Sequence, residues 1–235
     1  MALDDEVNAN CANLKGYTPL LILTRFNRRN NLCVCIETLC QRPNLDINVK
    51  DRQGYNALLT VCYYFCGSKL LDSVRVLLKY GIDANATDPN GKTALYSLIS
   101  NFSGNFVHFY EIVRTLVNNG LDINARTNDG TSPFVRLVSV GKMGASHYHR
   151  PDFFQVVEYL IAQGADVNAE DRRKRTALHN ICSTYNGSEL YTIVEMLVAA
   201  NCDVKKLDRS KRKAVDYLIE KGVVDHADVI KLLTF

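Results

Sequence analysis

The nearest approach to a set of metal ligands in this chain is His147, His149 and Asp152, and the nearest to a nucleophile is Cys62. Neither group makes a reaction centre. The two histidines lie in a polar, glycine-bearing stretch, Lys142-Met-Gly-Ala-Ser-His-Tyr-His-Arg150. Such a stretch is expected to be a surface loop, whereas a zinc site needs three or four ligands held in a fixed geometry. A thiol nucleophile needs a paired base, and no base stands beside Cys62 in sequence. Glycine-rich phosphate loops, Gly-x-Ser-x-Gly elbows and His-Glu-x-x-His pairs are all missing from the chain. The eight cysteines (Cys11, Cys33, Cys35, Cys40, Cys62, Cys66, Cys182 and Cys202) contain no Cys-x2-Cys pair. Most fall among apolar helical positions, where a reduced thiol is expected to be buried as a small hydrophobe. That many thiols without a framework suit a reducing compartment. The expectation is a protein that is not an enzyme, with no catalytic residue, metal or cofactor, whose chemistry is recognition.

The elements that would carry recognising side chains are written as a repeat. Six pentapeptides share one pattern: Gly16-Tyr-Thr-Pro-Leu20, Gly54-Tyr-Asn-Ala-Leu58, Gly91-Lys-Thr-Ala-Leu95, Gly130-Thr-Ser-Pro-Phe134, Lys174-Arg-Thr-Ala-Leu178 and Lys211-Arg-Lys-Ala-Val215. Their starts lie 38, 37, 39, 44 and 37 residues apart. Units of that period cannot bury an apolar face alone and must stack on their neighbours.

The third unit shows how. Asp88-Pro-Asn-Gly91 is turn chemistry, with proline fixing φ and glycine supplying a positive φ. Thr93 can cap a helix that starts at Ala94, and Thr18, Asn56, Ser132 and Thr176 hold the same place, with Pro19 and Pro133 at the first helical position. Leu95, Leu98 and Ile99 give the first helix a buried stripe; Ile112, Val113, Leu116 and Val117 give the second one. Gly120 stops it, and Leu121-Asp-Ile-Asn-Ala125 runs extended into the next turn. Glu6-Val-Asn-Ala9 looks like the close of a preceding unit, and Asp225 can cap a short last helix, 227–233.

Composition agrees with a soluble fold: 47% apolar and 23% charged residues are ordinary, and a net charge of +3 argues for no nucleic acid by itself. No run of about eighteen apolar residues occurs, and Met1-Ala-Leu-Asp-Asp-Glu6 lacks a basic-then-apolar leader. The expected location is cytoplasmic and/or nuclear, with no membrane partner.

The alternation of turn, Thr-Ala-Leu helix, Ile-Val-x-x-Leu helix and Gly-x-Asp-x-Asn-Ala resembles the ankyrin repeat. Tyr80-Gly-Ile-Asp-Ala-Asn-Ala86, Asn119-Gly-Leu-Asp-Ile-Asn-Ala125, Gln163-Gly-Ala-Asp-Val-Asn-Ala169 and the Thr-Ala-Leu-His ending at His179 carry the resemblance. It implies an all-α solenoid of stacked helix-turn-helix units joined by β-hairpin-like turns. The whole chain, 1–235, is then one domain, with units at about 13–50, 51–87, 88–126, 127–170 and 171–207, a capping unit 208–235, and 1–12 closing a preceding partial unit. The family period is about 33 residues, so the excess here falls between the two helices. Those connectors, roughly 27–34, 65–71, 102–110, 141–154 and 185–191, are rich in Phe and Tyr, which either pack between helix ends or form a ridge for a partner. Lys174 and Lys211 replace the turn glycine, so those tips are either strained or reshaped.

The resemblance also implies a protein–protein interaction module, a scaffold or adaptor, most simply monomeric, whose partner lies across the turn tips and inner helices. By position the tip residues are Tyr17, Arg52, Tyr55, Lys92, Arg172, Arg173, Arg175, Arg209 and Arg212, and the inner-helix residues are Arg25, Phe26, Tyr63, Tyr64 and Asn101. Asn85, Asn124 and Asn168 match ankyrin asparagines that are hydroxylated, although an asparagine there can equally be a turn residue. An alternative partner is an acidic ligand, nucleic acid or an acidic protein surface, held by the basic C-terminal tips. From Glu170 to Lys213 there are ten basic and six acidic residues, a local excess.

Overall fold

The computed structural model describes residues 8–27, 31–64, 69–101, 108–139, 151–184, 190–221 and 227–234, with the side chains of 151 and 152 left aside. These residues form twelve helices and no strand, in two compact units, Met1–Leu121 and Asp122–Phe235. Unit 1 holds α1 (Pro19–Phe26), α2 (Leu32–Cys40), α3 (Ala57–Tyr64), α4 (Leu70–Lys79), α5 (Ala94–Ser100) and α6 (Phe109–Asn118). Its first helices pack in the row α1, α3, α5, and its second helices in the row α2, α4, α6. Unit 2 holds α7 (Pro133–Ser139), α8 (Pro151–Ala162), α9 (Ala177–Thr184), α10 (Leu190–Ala199), α11 (Ala214–Glu220) and α12 (Ala227–Thr234). There α9 packs on both α7 and α11, and α10 on α12. Each unit is therefore an all-α stack of helical hairpins.

Local chemistry places each helix. Thr18 Oγ1 and Thr93 Oγ1 accept the amides of Leu21 and Tyr96, and Asn56 Oδ1 and Ser132 Oγ accept those of Leu59 and Val135. These are the caps that an orphaned first turn needs. Thr176 differs, its hydroxyl being paired with His179 Nδ1 at 2.9 Å. In front of α11 Asp216 Oδ2 reaches back to the Lys213 amide at 2.7 Å. The apolar stripes then meet in the core. Leu77, Leu116, Leu160 and Leu197, equivalent residues of the four middle second helices, are all at most 1% exposed. Burial of that kind is worth about 1.5–3 kcal/mol for each leucine.

The turns share one local device. A polar residue three before the turn glycine, or before the lysine that replaces it, accepts two amides in Asn13 (Lys15 and Tyr17), Asp51 (Gln53 and Tyr55), Asp88 (Asn90 and Lys92), Asp171 (Arg173 and Arg175) and Asp208 (Ser210 and Arg212). The same residue's amide donates to the carbonyl four residues on, closing each hairpin-like turn at 2.9–3.1 Å. Positive φ falls three residues after it, 79° at Gly16 and Gly54. At Gly54 a side chain would also strike Pro89, its Cβ falling 2.9 Å from Cδ. Lys174 and Lys211 keep the same left-handed conformation at φ 57° and 59°. These tips are strained rather than reshaped, at a cost of about 1–2 kcal/mol for each lysine.

Several expectations need correction. Of the described cysteines only Cys62 and Cys182 are buried; Cys11 is exposed, and Cys33, Cys35, Cys40 and Cys202 are half-buried. Helix periodicity puts Cys33 and Cys35 beside rather than on the stripe of α2, whose buried residues are Leu32 and Ile36. The inter-helix connectors are shorter than their aromatic content suggests. Phe109, Tyr110, Phe153, Phe154 and Tyr191 belong to helices, and Phe109 and Phe153 are buried, so these two pack. Phe65, Phe102, Phe106, Tyr148 and Tyr185 lie outside the described residues, as do Asp225 and the pair His147 and His149. At the N-terminus the register is shifted by two. Asn10, not Asn8, donates to the Asn44 carbonyl and accepts from Asp46, while Asn8 takes the aspartate's part by accepting the Asn10 amide.

Candidate functional site

Within unit 1 the site grows out of one buried carboxylate. Asp51 Oδ1 is committed to the turn, which leaves Oδ2 to face Arg25 Nη1 at 3.6 Å. Arg25 is the seventh residue of α1, so its helix delivers it onto the tip of the following repeat. A further contact to Gln53 Oε1 at 3.4 Å fixes the guanidinium. Its carbon then lies 4.5 Å from the Tyr64 ring centroid, 5.1 Å from Tyr17 and 5.9 Å from Phe26, within the range of cation–π attraction. The rings also meet one another edge to face: Tyr17 with Phe26 at 6.0 Å, Tyr55 with Tyr63 at 5.9 Å, and Tyr63 with Tyr64 at 4.6 Å.

Neighbouring repeats lock this group. The Tyr55 hydroxyl donates to Asp88 Oδ2 at 3.2 Å, and burial together with that carboxylate pushes the phenol up to about 12, so it stays a donor. Burial likewise raises Tyr64, against the opposing effect of Arg25. Asn101, just past α5, donates to the Tyr63 carbonyl at 2.9 Å. Tyr17, Arg25, Phe26, Tyr55, Tyr63, Tyr64 and Asn101 are thus brought into one connected surface. Phe26 is 60% exposed, and Tyr63 is exposed too. Ile22, one turn before Phe26 on α1, is 41% exposed and extends the apolar face. Two expected tip residues stand apart. Arg52 is exposed, its stem packed beneath Gly16, and Lys92 Nζ sits 5.8 Å from the Tyr96 ring.

Unit 2 presents a different surface. Arg209 donates its amide to the Arg173 carbonyl at 3.0 Å, which joins two consecutive tips. Not every arginine there faces outward. Arg175 grips Asp171 Oδ2 through Nε and Nη2 at 3.0 and 2.8 Å. Arg212 lies 4.0 Å over the Tyr217 ring and bonds Glu220 at 3.2 Å, while Tyr217 donates to Asp208. Arg172, Arg173 and Arg209 are exposed. Beneath them His179 Nδ1 accepts the Thr176 amide and Nε2 meets the Arg212 carbonyl at 3.2 Å, a structural histidine.

Asn85, Asn124 and Asn168 tie repeat to repeat. Their Nδ2 groups donate to the carbonyls of Gly120, Gly164 and Asn201, and Asn124 and Asn168 accept the amides of Asp166 and Asp203. Asn10 and Asn48 make the same bridge. Residue-by-residue reading passed over these two, and also Asp51 and Asp88, the acceptors that aim Arg25 and Tyr55. The signal was present as a polar residue recurring three before each turn glycine.

Among the described residues no group of three His, Cys, Asp or Glu could hold a metal, and no helix is long and apolar enough to cross a membrane. Comparison with known proteins agrees with the repeat architecture. The fold is that of the ankyrin domain of Bcl-3, a member of the IkappaB family, with a TM-score of 0.66 over 88% of this chain and 80% of that one, at 22% identity. Human ankyrin repeat and SOCS box protein 6 is 37% identical over 128 residues, 52% of this chain and 30% of the relative. The putative ankyrin repeat protein L86 of Acanthamoeba polyphaga mimivirus is 25% identical over 191 residues, 77% of this chain and 31% of that protein. Human neurogenic locus notch homolog protein 1 is 28% identical over 74% of this chain and 7% of its own length. The chain thus spans about a third or less of the length of these curated relatives. The family model for ankyrin repeats in three copies matches residues 28–127 and 143–234, and with most of its length so matched the chain belongs to the ankyrin-repeat family.

Proposed function

We propose that this chain is a scaffold or adaptor module that binds a protein or peptide over the aromatic surface of unit 1. Ankyrin repeats are in general protein–protein interaction modules, and the fold is a non-enzymatic one. The observation that carries the reading is Phe26, a ring 60% exposed beside an arginine pre-positioned by Asp51. Leaving that ring in water is unfavourable, and interface anchors are drawn from Tyr, Phe and Arg held rigid by their neighbours. Arg25 and Tyr55 have already lost their rotamer freedom to Asp51 and Asp88, so less entropy remains to be lost on binding. A partner with an apolar side chain to place between Phe26 and Tyr63, and a carboxylate or carbonyl for Arg25, fits this chemistry. On this reading the chain acts by recognition. A cytoplasmic or nuclear setting accords with its seven described free thiols.

The test is affinity capture from cells with quantitative mass spectrometry, using the wild type, Phe26→Ala/Tyr63→Ala, and Leu207→Ala as an exposed apolar control in unit 2. Once a partner is identified, the double variant should weaken its binding by about 1–3 kcal/mol, with an unchanged melting temperature. Equal capture by all three proteins refutes the assignment.

A further inference from the structure

Arg172, Arg173 and Lys174 on one turn of unit 2, and Arg209, Lys211 and Lys213 on the next, are six exposed cations. Among the described residues none of the six lies within 4.0 Å of a carboxylate. Their gathering is enforced by backbone, since the Arg209 amide is bonded to the Arg173 carbonyl. The carboxylates built into these tips are already engaged, Asp171 by Arg175 and Asp208 by Arg212 and Tyr217. Like charges are therefore held side by side, with no ion-paired carboxylate among the described residues. Asp129 feels Arg172, its carboxyl lying below the usual range chiefly through a hydrogen bond from Thr127, with a smaller contribution from that guanidinium.

Backbone strain is the second, independent observation. Lys174 and Lys211 stand at φ 57° and 59°, where the four earlier turns carry Gly16, Gly54, Gly91 and Gly130. Among the described residues neither ammonium group makes an ion pair or hydrogen bond that would offset this conformation. Strain that local contacts do not explain is found at functional sites.

We propose that these two tips form a docking site for a short acidic protein segment. Its aspartates and glutamates would pair with the guanidinium groups of Arg172, Arg173 and Arg209 and with the ammonium groups of Lys174 and Lys211. This site is independent of the aromatic surface of unit 1. Charge distribution favours a peptide over nucleic acid. Unit 2 carries sixteen lysines and arginines against fifteen aspartates and glutamates, a net charge of +1. Apart from the eight cations of the two tips, it has eight basic residues against fifteen acidic ones. A nucleic acid, charged all along its length, needs a basic surface that continues, and outside the two tips unit 2 has an acidic excess, whereas a short acidic segment needs no more than the tips.

The experiment is fluorescence anisotropy on the full chain with two labelled probes, a short glutamate-rich peptide and a single-stranded oligonucleotide of similar charge, each at low and near-physiological ionic strength. The wild type should bind the peptide in preference, with affinity falling about tenfold as salt rises. Arg172→Gln/Arg173→Gln/Arg209→Gln should lose about tenfold or more in affinity and most of that salt dependence, with the melting temperature kept. Lys174→Gly/Lys211→Gly should melt higher, since glycine accepts positive φ at less cost, and yet bind the peptide more weakly. Arg75→Gln, an exposed cation on α4, should change nothing. Absence of peptide binding by the wild type, unchanged binding by either tip variant, or tighter binding of the oligonucleotide would overturn the assignment.

Discussion

His179 shows how one residue couples a turn to the next repeat. It sits 1% exposed with Nδ1 accepting the Thr176 amide and Nε2 against the Arg212 carbonyl, so the neutral ring with its proton on Nε2 satisfies both sides. Burial lowers its pKa below the usual 6.5, and the Arg212 carbonyl, Asp208 and Asp171 only partly oppose that. A second proton would sit on Nδ1, facing an amide donor. Because the folded pKa is depressed, the unfolded chain takes up the proton first as pH falls. The stability from this site is therefore complete above about 6.5 and is lost as the pH falls through the lower, folded pKa. Urea unfolding from pH 7.5 downward should show a falling midpoint that begins near 6.5. His179→Gln should remove that limb; an unchanged slope would place the pH sensitivity elsewhere.

At the scale of elements, the second helices carry the interlocking layer. Leu116 is wholly buried on α6, with Leu77 in the same place on α4, and those two helices pack directly. Leu116→Ala should cost about 2–5 kcal/mol from lost burial and the cavity left behind. Chemical denaturation measures it, and a loss near zero would mean that the apolar stripe of α6 faces solvent. The first helices are shorter, seven or eight residues, and are secured by caps and turn carboxylates as much as by their stripes. That division of labour frees the exposed side of α1 and α3 for Phe26 and Tyr63.

Across the whole molecule, stability is a sum of repeats and neighbour terms. The asparagine bridges are the polar part of that coupling. Asn168 spans from one repeat to the next by donating to Asn201 and accepting from Asp203 at 2.7 Å. Asn168→Ala leaves a carbonyl and an amide to water, and should lower stability by about 1–2 kcal/mol. Guanidinium unfolding followed in unit 2 reads this directly; no loss would show that the bridge only accompanies apolar stacking. The series stops where Lys205 replaces the asparagine, and Lys206 pairs with Glu170 at 3.0 Å instead.

The pattern of residues alone determined the repeat, its caps and its buried stripes, because turns, caps and helical periodicity are local rules that each unit states again. It also placed Tyr17, Tyr55, Tyr63 and Tyr64 on one surface, since equivalent positions in stacked units must be neighbours. What it could not determine was pairing. Arg175 and Arg212 are written like Arg172 and Arg209, yet two are held by the turn aspartates Asp171 and Asp208 and two are exposed. Lys174 could have reshaped its tip, and instead keeps the left-handed backbone of the glycine turns. The Asn8 and Asn10 register rested on a bond to Asn44, 34 residues away. Local energetics is written residue by residue, whereas the choice of partner across a repeat interface depends on distances that exist only after stacking.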